Sequence, residues 1–391
     1  MPVLLYLLAA AVFAQGTSEF VLAGLLPAIA ADLDVSLGQA GLLTSAFALG
    51  MAVGAPAMAA AGRGLSPRWT LTGFLTLFIV AHVVGALTDS FGVLFAARIV
   101  AALANAGFLA VALSAVTRVV PAERRARALS VILGGTTLAL IAGVPAGAFV
   151  GSALGWRATL WAIAVVSLPA LIAVLAATPT RPETGGRSGT AATLRRELAT
   201  LRRRPVQLNL VLAILVNAAT FCTFTYLAAI ATGPAGLAEP AVPVLLGVFG
   251  VGAFLGVSAA GRFGDQHWQR LIALTGPLLA LGWVVLALAA ASPAALWLLA
   301  LSQGALSFAL GSTLIARIMA TAHHAPTMSG SFATVALNVG AIVGPVAGGI
   351  AIEATGVRGP LVVSAALVLA AVFLGRIVPA SRRLAETSTH R

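Results

Sequence analysis

The chain contains no lysine, a single cysteine and few charges: 9% of its 391 residues are charged, against a hydrophobic share of 60%. A soluble domain carries about a quarter charged residues. Too few ionisable groups remain to build a water-facing surface, so most of the chain must meet lipid. One cysteine, Cys222, excludes an internal disulfide, and its apolar surroundings mark it as a packing residue. Without lysine no Gly-x-x-x-x-Gly-Lys phosphate loop exists, so an ATP-driven motor would need a separate subunit. No Ser-His-Asp or metal-protease pattern stands out, and the His323-His324 pair has too few neighbouring ligands for zinc. The chain is not expected to be an enzyme, nor to hold a metal or cofactor.

What remains is apolar runs of membrane-spanning length, about 20 residues each. Twelve are expected, at 4–30, 39–61, 70–87, 91–116, 129–152, 159–177, 208–231, 242–261, 269–290, 294–318, 330–352 and 359–378. The first run is too long for a signal-peptide core and no arginine precedes it, so it is expected to be a retained helix. A β-barrel would need shorter segments of alternating polarity, which are absent. The fold class is therefore an all-α integral membrane protein.

The formal charge of +12 could suggest nucleic acid binding, but the arginines sit in alternate loops. Twenty of the 23 lie in one set of loops and tails, two (Arg157 and Arg358) in the other set, and Arg98 inside a span. The positive-inside rule then puts both termini in the cytoplasm, with no nucleic acid partner needed. A polar stretch after residue 177 divides the chain into an N-terminal six-helix bundle (1–177), a cytoplasmic linker (178–206) with a short surface helix at 194–201, and a C-terminal bundle with a tail (207–391).

The halves repeat. Phe47, Gly50, Gly54, Gly62 and Arg68 recur at one offset as Phe249, Gly252, Gly256, Gly264 and Arg270, and Pro145 has a counterpart in Pro345. This favours two pseudo-symmetric bundles. Apart from Gly185 and Gly189 in the linker, glycines four apart fall in spans two (Gly50, Gly54), five (Gly143, Gly147, Gly151), eight (Gly252, Gly256) and eleven (Gly340, Gly344, Gly348). Such faces let helices approach closely in lipid. Ordinary tight packing would account for any single pair; all four together suggest seams on which two bundles rock.

Several segments resemble the major facilitator superfamily, in its twelve-span drug:proton antiporter branch. Gly143-Val144-Pro145-Ala146-Gly147 is similar to that branch's fifth-span motif, and Gly261-Arg262-Phe263-Gly264-Asp265 to the motif that follows span eight. The matching segment after span two, Gly62-Arg63-Gly64, lacks the acidic residue. Arg98 stands where the branch has an arginine in span four. The runs Gly16 to Pro27, Ala40 to Phe47, Ala104 to Leu113 and Ala325 to Ser331 resemble the actinobacterial chloramphenicol exporters. The resemblance implies a monomeric inner-membrane exporter of a small amphiphilic drug, with chloramphenicol the foremost candidate, in exchange for protons. A sugar or metabolite exporter of the same branch shares much of the first-span pattern. From other classes, a membrane-embedded enzyme or a ligand sensor would keep the helices without the turnover.

Two formal charges lie well inside spans, Glu19 and Arg98. A charge at mid-bilayer costs about 2.5–3.5 kcal/mol on insertion scales, which marks such groups as functional. At 1.5 Å per residue they lie about 16 Å and 10 Å from the outer ends of their spans, close enough in depth to pair. A static pair would fix helix register. Alternatively Glu19 carries the coupling proton and Arg98 tunes it, since a moving charge and a changing exposure to water alter a carboxylate's hold on a proton; the cost of keeping the acid there favours this reading. His82 is a lone histidine on a helix expected at the lipid-facing periphery, and a satisfied packing role is expected. For a neutral aromatic drug with hydroxyl and amide groups, aromatic walls and uncharged hydrogen-bonding groups are needed. The candidates are Asn105 and Phe108 in span four, Asn217, Thr220, Phe221, Phe224 and Tyr226 in span seven, and Gln303, Ser307 and Phe308 in span ten. Interhelical hydrogen bonding is the alternative role for any one of them.

Overall fold

The computed structural model describes residues 3–61, 66–119, 124–177, 191–325 and 328–388, and among these all regular structure is helical. Eleven single helices are long and apolar enough to cross a membrane, and one bent pair makes a twelfth span. Span one is Leu5–Phe20 with Leu22–Asp32, two is Leu37–Ala57, three Pro67–Leu87, four Phe91–Leu113, five Arg127–Leu154 and six Trp156–Ala176. Span seven is Arg204–Phe224, eight Ala241–Gly264, nine Gln266–Leu288, ten Pro293–Thr321, eleven Ser329–Thr355 and twelve Gly359–Arg376. With an even number of crossings, both termini lie at one end, called here the terminal end; the other is the distal end.

Three departures from the expected spans are local. Span one bends by 51° around Val21. There the Gly24 N–H reaches back only three residues, to the Val21 carbonyl at 3.0 Å, and Pro27 supplies no N–H to the turn above. Span seven breaks at Thr225 and Tyr226 before a short helix, Leu227–Thr232. Spans eight and nine run together with only His267 outside helical geometry, at φ −125° and ψ 24°. Most of the expected linker, 178–190, lies outside the described residues, as does Gly62-Arg63-Gly64; the surface helix is Ala191–Ala199 with a 3₁₀ turn at Thr200–Arg202. Its Glu197 is buried and accepts a hydrogen bond from the Met328 N–H at 2.9 Å, docking this helix on the start of span eleven.

The apolar interior divides by sequence half. One cluster holds Leu8, Phe47, Phe78, Phe108 and Trp156; a second holds Phe249, Trp283, Leu310 and Leu361, and Phe20, Leu140 and Val144 of the first half reach into it. A small third, Leu26, Ala30 and Ala40 with Tyr226 and Ile352, joins the halves. Lipid offers helices no hydrophobic reason to associate, so close backbone packing must hold them.

The glycine rows do this, but not where the repeat suggested. Gly50 and Gly54 face span four, where a Cβ would lie 2.6 Å from Ala102 and 2.7 Å from Ala106. Gly143, Gly147 and Gly151 face Thr17, Val21 and Leu25 of span one. In the second half Gly252 and Gly256 face Leu301 and Ala305 of span ten, and Gly340, Gly344 and Gly348 face span seven at Ile214, Ala218 and Cys222. All four rows lock helices within a half; none is a seam between halves. The pairs two–four and five–one recur as eight–ten and eleven–seven, so the repeat is real in packing as well as in sequence.

The halves meet elsewhere. At the distal end Ser36 Oγ donates to Glu353 Oε1 at 2.5 Å, Gly38 lies against Gly349, and the Tyr226 hydroxyl sits over Gly41. Midway, Ser45 Oγ donates to the Ile342 carbonyl at 2.9 Å. Span eight crosses span five with Gly247 on Pro145 and Gly250 on the Leu140 carbonyl. Span five is π-helical over Ala139–Gly143 at this crossing. Pro145 has no N–H for the Ile141 carbonyl, which loosens the ladder there, and a side chain at Gly250 would block the approach. Toward the terminal end the same two helices separate: span eight packs on Ala139–Gly143 and Val144–Leu154 of span five but not closely on Arg125–Leu138.

Candidate functional site

Span one supplies the centre of the molecule. Glu19 is half-buried in the last turn before the bend and has no hydrogen-bond or ion-pair partner among the described residues. Arg98 is buried, at 3% exposure, and lies near enough for the two charges to interact. The two nevertheless form no ion pair, so the static pair that depth allowed is not what is found. The guanidinium donates instead to Ser18, from Nη1 to Oγ at 2.8 Å and from Nη2 to the carbonyl at 2.9 Å, with its face 4.4 Å from the Phe47 ring centre. Consecutive helical residues point about 100° apart. Span four meets the Ser18 face, and Glu19 is turned away from it.

His82 completes this cluster. Its helix is peripheral in order, yet its ring is 3% exposed and points inward. Nδ1 lies 2.8 Å from the Phe78 carbonyl, and Nε2 lies 2.7 Å from Ser18 Oγ. A carbonyl only accepts, so Nδ1 carries the proton and Nε2 accepts from the Ser18 hydroxyl. The expected satisfied role is what the geometry shows, though with a serine and an arginine in place of plain packing.

Beside Glu19 an aromatic group spans the two halves. Phe20 lies 6.0 Å from Phe221 and 6.3 Å from Phe224; Phe224 lies 4.8 Å from Phe249, which is 6.3 Å from Phe308. Ring pairs at such distances attract beyond their buried area. Phe308 is the partly exposed member, and in span ten Ser307 next to it is buried with no hydrogen-bond partner among the described residues. On span one the Gln15 amide is buried with neither its nitrogen nor its oxygen partnered among the described residues, one helical turn from Glu19. Buried amides of this kind are elsewhere satisfied by water or ligand.

The other candidates scatter. Asn105 is buried in span four. Phe108 is fully buried inside the first apolar cluster, so it packs its own bundle and walls no open space. Asn217 Nδ2 donates to the Leu337 carbonyl at 2.6 Å, and Thr220 Oγ1 to the Val216 carbonyl at 2.9 Å; these are a helix-to-helix tie and a local bond. Tyr226 lies in the break of span seven, its hydroxyl donating to the Pro345 carbonyl at 2.7 Å, so it belongs to the distal closure and not to the aromatic wall. Gln303 is turned toward span nine, with Nε2 on the Leu279 carbonyl at 2.9 Å, because Gly282 leaves room there. Gly261 and Arg262 are exposed at the terminal end; the Asp265 side chain lies outside the described residues.

Sequence reasoning missed Gln15, Ser18, Phe20 and Phe249. Gln15 was within reach, since four residues separate it from Glu19 on one helix face. Ser18 and Phe249 were not, because their roles depend on which helices become neighbours.

Twelve spans in two matching halves thus meet at the distal end, with a half-buried acid at the bend of span one. The family model described as the Major Facilitator Superfamily matches residues 8–336. A chloramphenicol resistance protein of Streptomyces lividans is 54% identical over 379 residues, covering 96% of this chain and 95% of that one. The inner membrane transport protein YdhP of Escherichia coli K12 is 32% identical over 89% of this chain and 88% of that one. Among solved structures, a bacterial homologue of the human lysosomal transporter Spinster, inward-facing and unoccupied, matches at TM-score 0.73 and 19% identity, covering 95% and 94% of the two chains. The nucleoside transporter NupG matches at TM-score 0.73 and 14% identity over 95% and 97%. The chain belongs to the Major Facilitator Superfamily.

Proposed function

We propose that this protein exports a small amphiphilic drug, chloramphenicol foremost, in exchange for protons, and so confers resistance. The substrate reading is carried by the 54% identity, over nearly the whole of both chains, to a chloramphenicol resistance protein. The proton reading is supported by Glu19, an acid without a partner among the described residues, held at the bend of span one where the phenylalanines of both halves meet. Phe221, Phe224, Phe249 and Phe308, with Ser307, Gln15 and Asn105, are the side chains that suit a neutral aromatic molecule carrying hydroxyl and amide groups.

In this reading the protein works as a monomer in the bacterial inner membrane with the terminal end in the cytoplasm, an orientation supported by the arginine distribution. The bundles 1–177 and 207–391 move as units joined by the linker 178–206. The contacts of Ser36 with Glu353 and of Tyr226 with Gly41 close the outer side, and the separation of spans five and eight opens the inner one. Drug enters from the cytoplasm as Glu19 gives up its proton inward. Rocking about the span five–span eight crossing then exposes both to the outside, where Glu19 is protonated and drug leaves.

The test is accumulation of chloramphenicol in a sensitive host expressing the chain, with and without a protonophore. Lower accumulation than with empty vector, restored by uncoupling, is expected. Accumulation equal to empty vector at normal protein level would contradict the substrate assignment.

A further inference from the structure

The chain of bonds through Arg98, Ser18, His82 and the Phe78 carbonyl runs in one direction only. The Phe78 carbonyl fixes the proton on His82 Nδ1, which makes Nε2 the acceptor; this turns the Ser18 hydroxyl hydrogen toward the ring and presents its lone pairs to Arg98 Nη1. Arg98 Nη2 takes the Ser18 carbonyl, in the last turn before span one bends. Ser18, His82 and Arg98 are all 3% exposed or less, so no bulk water substitutes for a lost member. The guanidinium is thus held by two bonds and one ring face, while the neighbouring carboxylate of Glu19 is left unpaired among the described residues.

We infer that His82 is a positioning residue for proton exchange: through Ser18 it ties Arg98 to the bend of span one and keeps it out of an ion pair with Glu19. The inference rests on Glu19 being the exchanging group. Without the tie, Arg98 swings to the nearest unpaired carboxylate, and a carboxylate paired with a guanidinium takes up a proton only in more acid solution. In spans one to six no other titratable group among the described residues stands at this depth, and Cys222 and Tyr226 of span seven are turned to the Pro360 and Pro345 carbonyls. Among the described residues, Tyr6 and Asp32 of span one, Arg68 of span three, Arg127 of span five and Arg157 of span six stand near helix ends, and spans two and four add none besides Arg98.

The test is chloramphenicol exchange by the purified full chain in proteoliposomes, over a series of equal inside and outside pH values. His82→Leu and Ser18→Ala are each expected to move the half-maximal point of the profile to lower pH by about one unit, with the drug KM unchanged. The double variant should move it no further than either alone, and His82→Gln, whose amide can both donate and accept, should restore much of it. Ser18→Ala is the smaller change and carries the test if His82→Leu fails to fold. Unshifted profiles, or a lower rate at every pH with no shift, would overturn the inference. Undiminished pH-gradient-driven export by Glu19→Gln is a separate outcome: it would remove the proton reading itself, whatever His82 does.

Discussion

The two halves share a plan of helix pairing but differ in what they bury. The first half holds ionisable groups at depth, with Glu19, His82 and Arg98 on three adjoining spans. The second half holds rings and uncharged polar groups at the corresponding level, with Phe221, Phe224, Phe249, Phe308 and Ser307. Their gate helices differ too. Pro145 opens a π turn in span five, whereas Pro345 sits in an unbroken helix with its carbonyl held by Tyr226. In the proposed reading the duplicated scaffold divides labour, with proton handling in one copy and the drug surface in the other, and the bend of span one as the place where the two touch.

Breaking the ionic side should have the largest effect. Glu19→Gln is expected to lower pH-gradient-driven export by about two orders of magnitude, with drug binding by the purified protein retained; loss of binding as well would show that the labour is not divided. On the other side, Phe224→Ala should weaken chloramphenicol affinity about tenfold, since such a ring contributes roughly 0.5–1.5 kcal/mol beyond its buried area, and leave the pH profile in place. Phe108→Ala sharpens the contrast from within the first bundle. It should cost about 3–5 kcal/mol of stability, read as a lower Tm, without changing drug affinity in the protein that folds. For the gate helices, Pro145→Ala should slow exchange several-fold by restoring a continuous ladder, about 1 kcal/mol in the barrier, and more than Pro345→Ala does in parallel proteoliposome assays. The smallest effect is expected at Arg157, whose partners Asp32 and Asp89 are exposed. Arg157→Gln should shift stability by less than about 1 kcal/mol and leave transport unchanged.

Much of the fold was legible in sequence because its signals are local. A 20-residue apolar run declares a span by itself, alternate arginine-rich loops suggest an orientation, and the glycine spacing identified helices that pack closely. Their partners are a tertiary matter: nothing in Gly143-x-x-x-Gly147 says that it faces Thr17 and Val21 of its own bundle and not the other half. The site was legible to the same degree. Glu19 and Arg98 stand out because charge in lipid is costly, and the rings of span seven because a lipid-facing helix would avoid such alternation. Tyr226 lies only two residues beyond Phe224, yet the break at Thr225 sends it to the distal closure. The likeness of depth between Glu19 and Arg98 suggested a pair, but Ser18, one residue away and rotated about 100°, captured the guanidinium.

Proton release from the purified protein tests the central claim most directly. If drug and proton exchange at Glu19, adding chloramphenicol to the protein in weakly buffered detergent should release up to one proton per chain, as linkage requires, and Glu19→Gln should bind the drug and release none. Equal release from Glu19→Gln, or none from the unaltered protein while it binds the drug, would contradict the account.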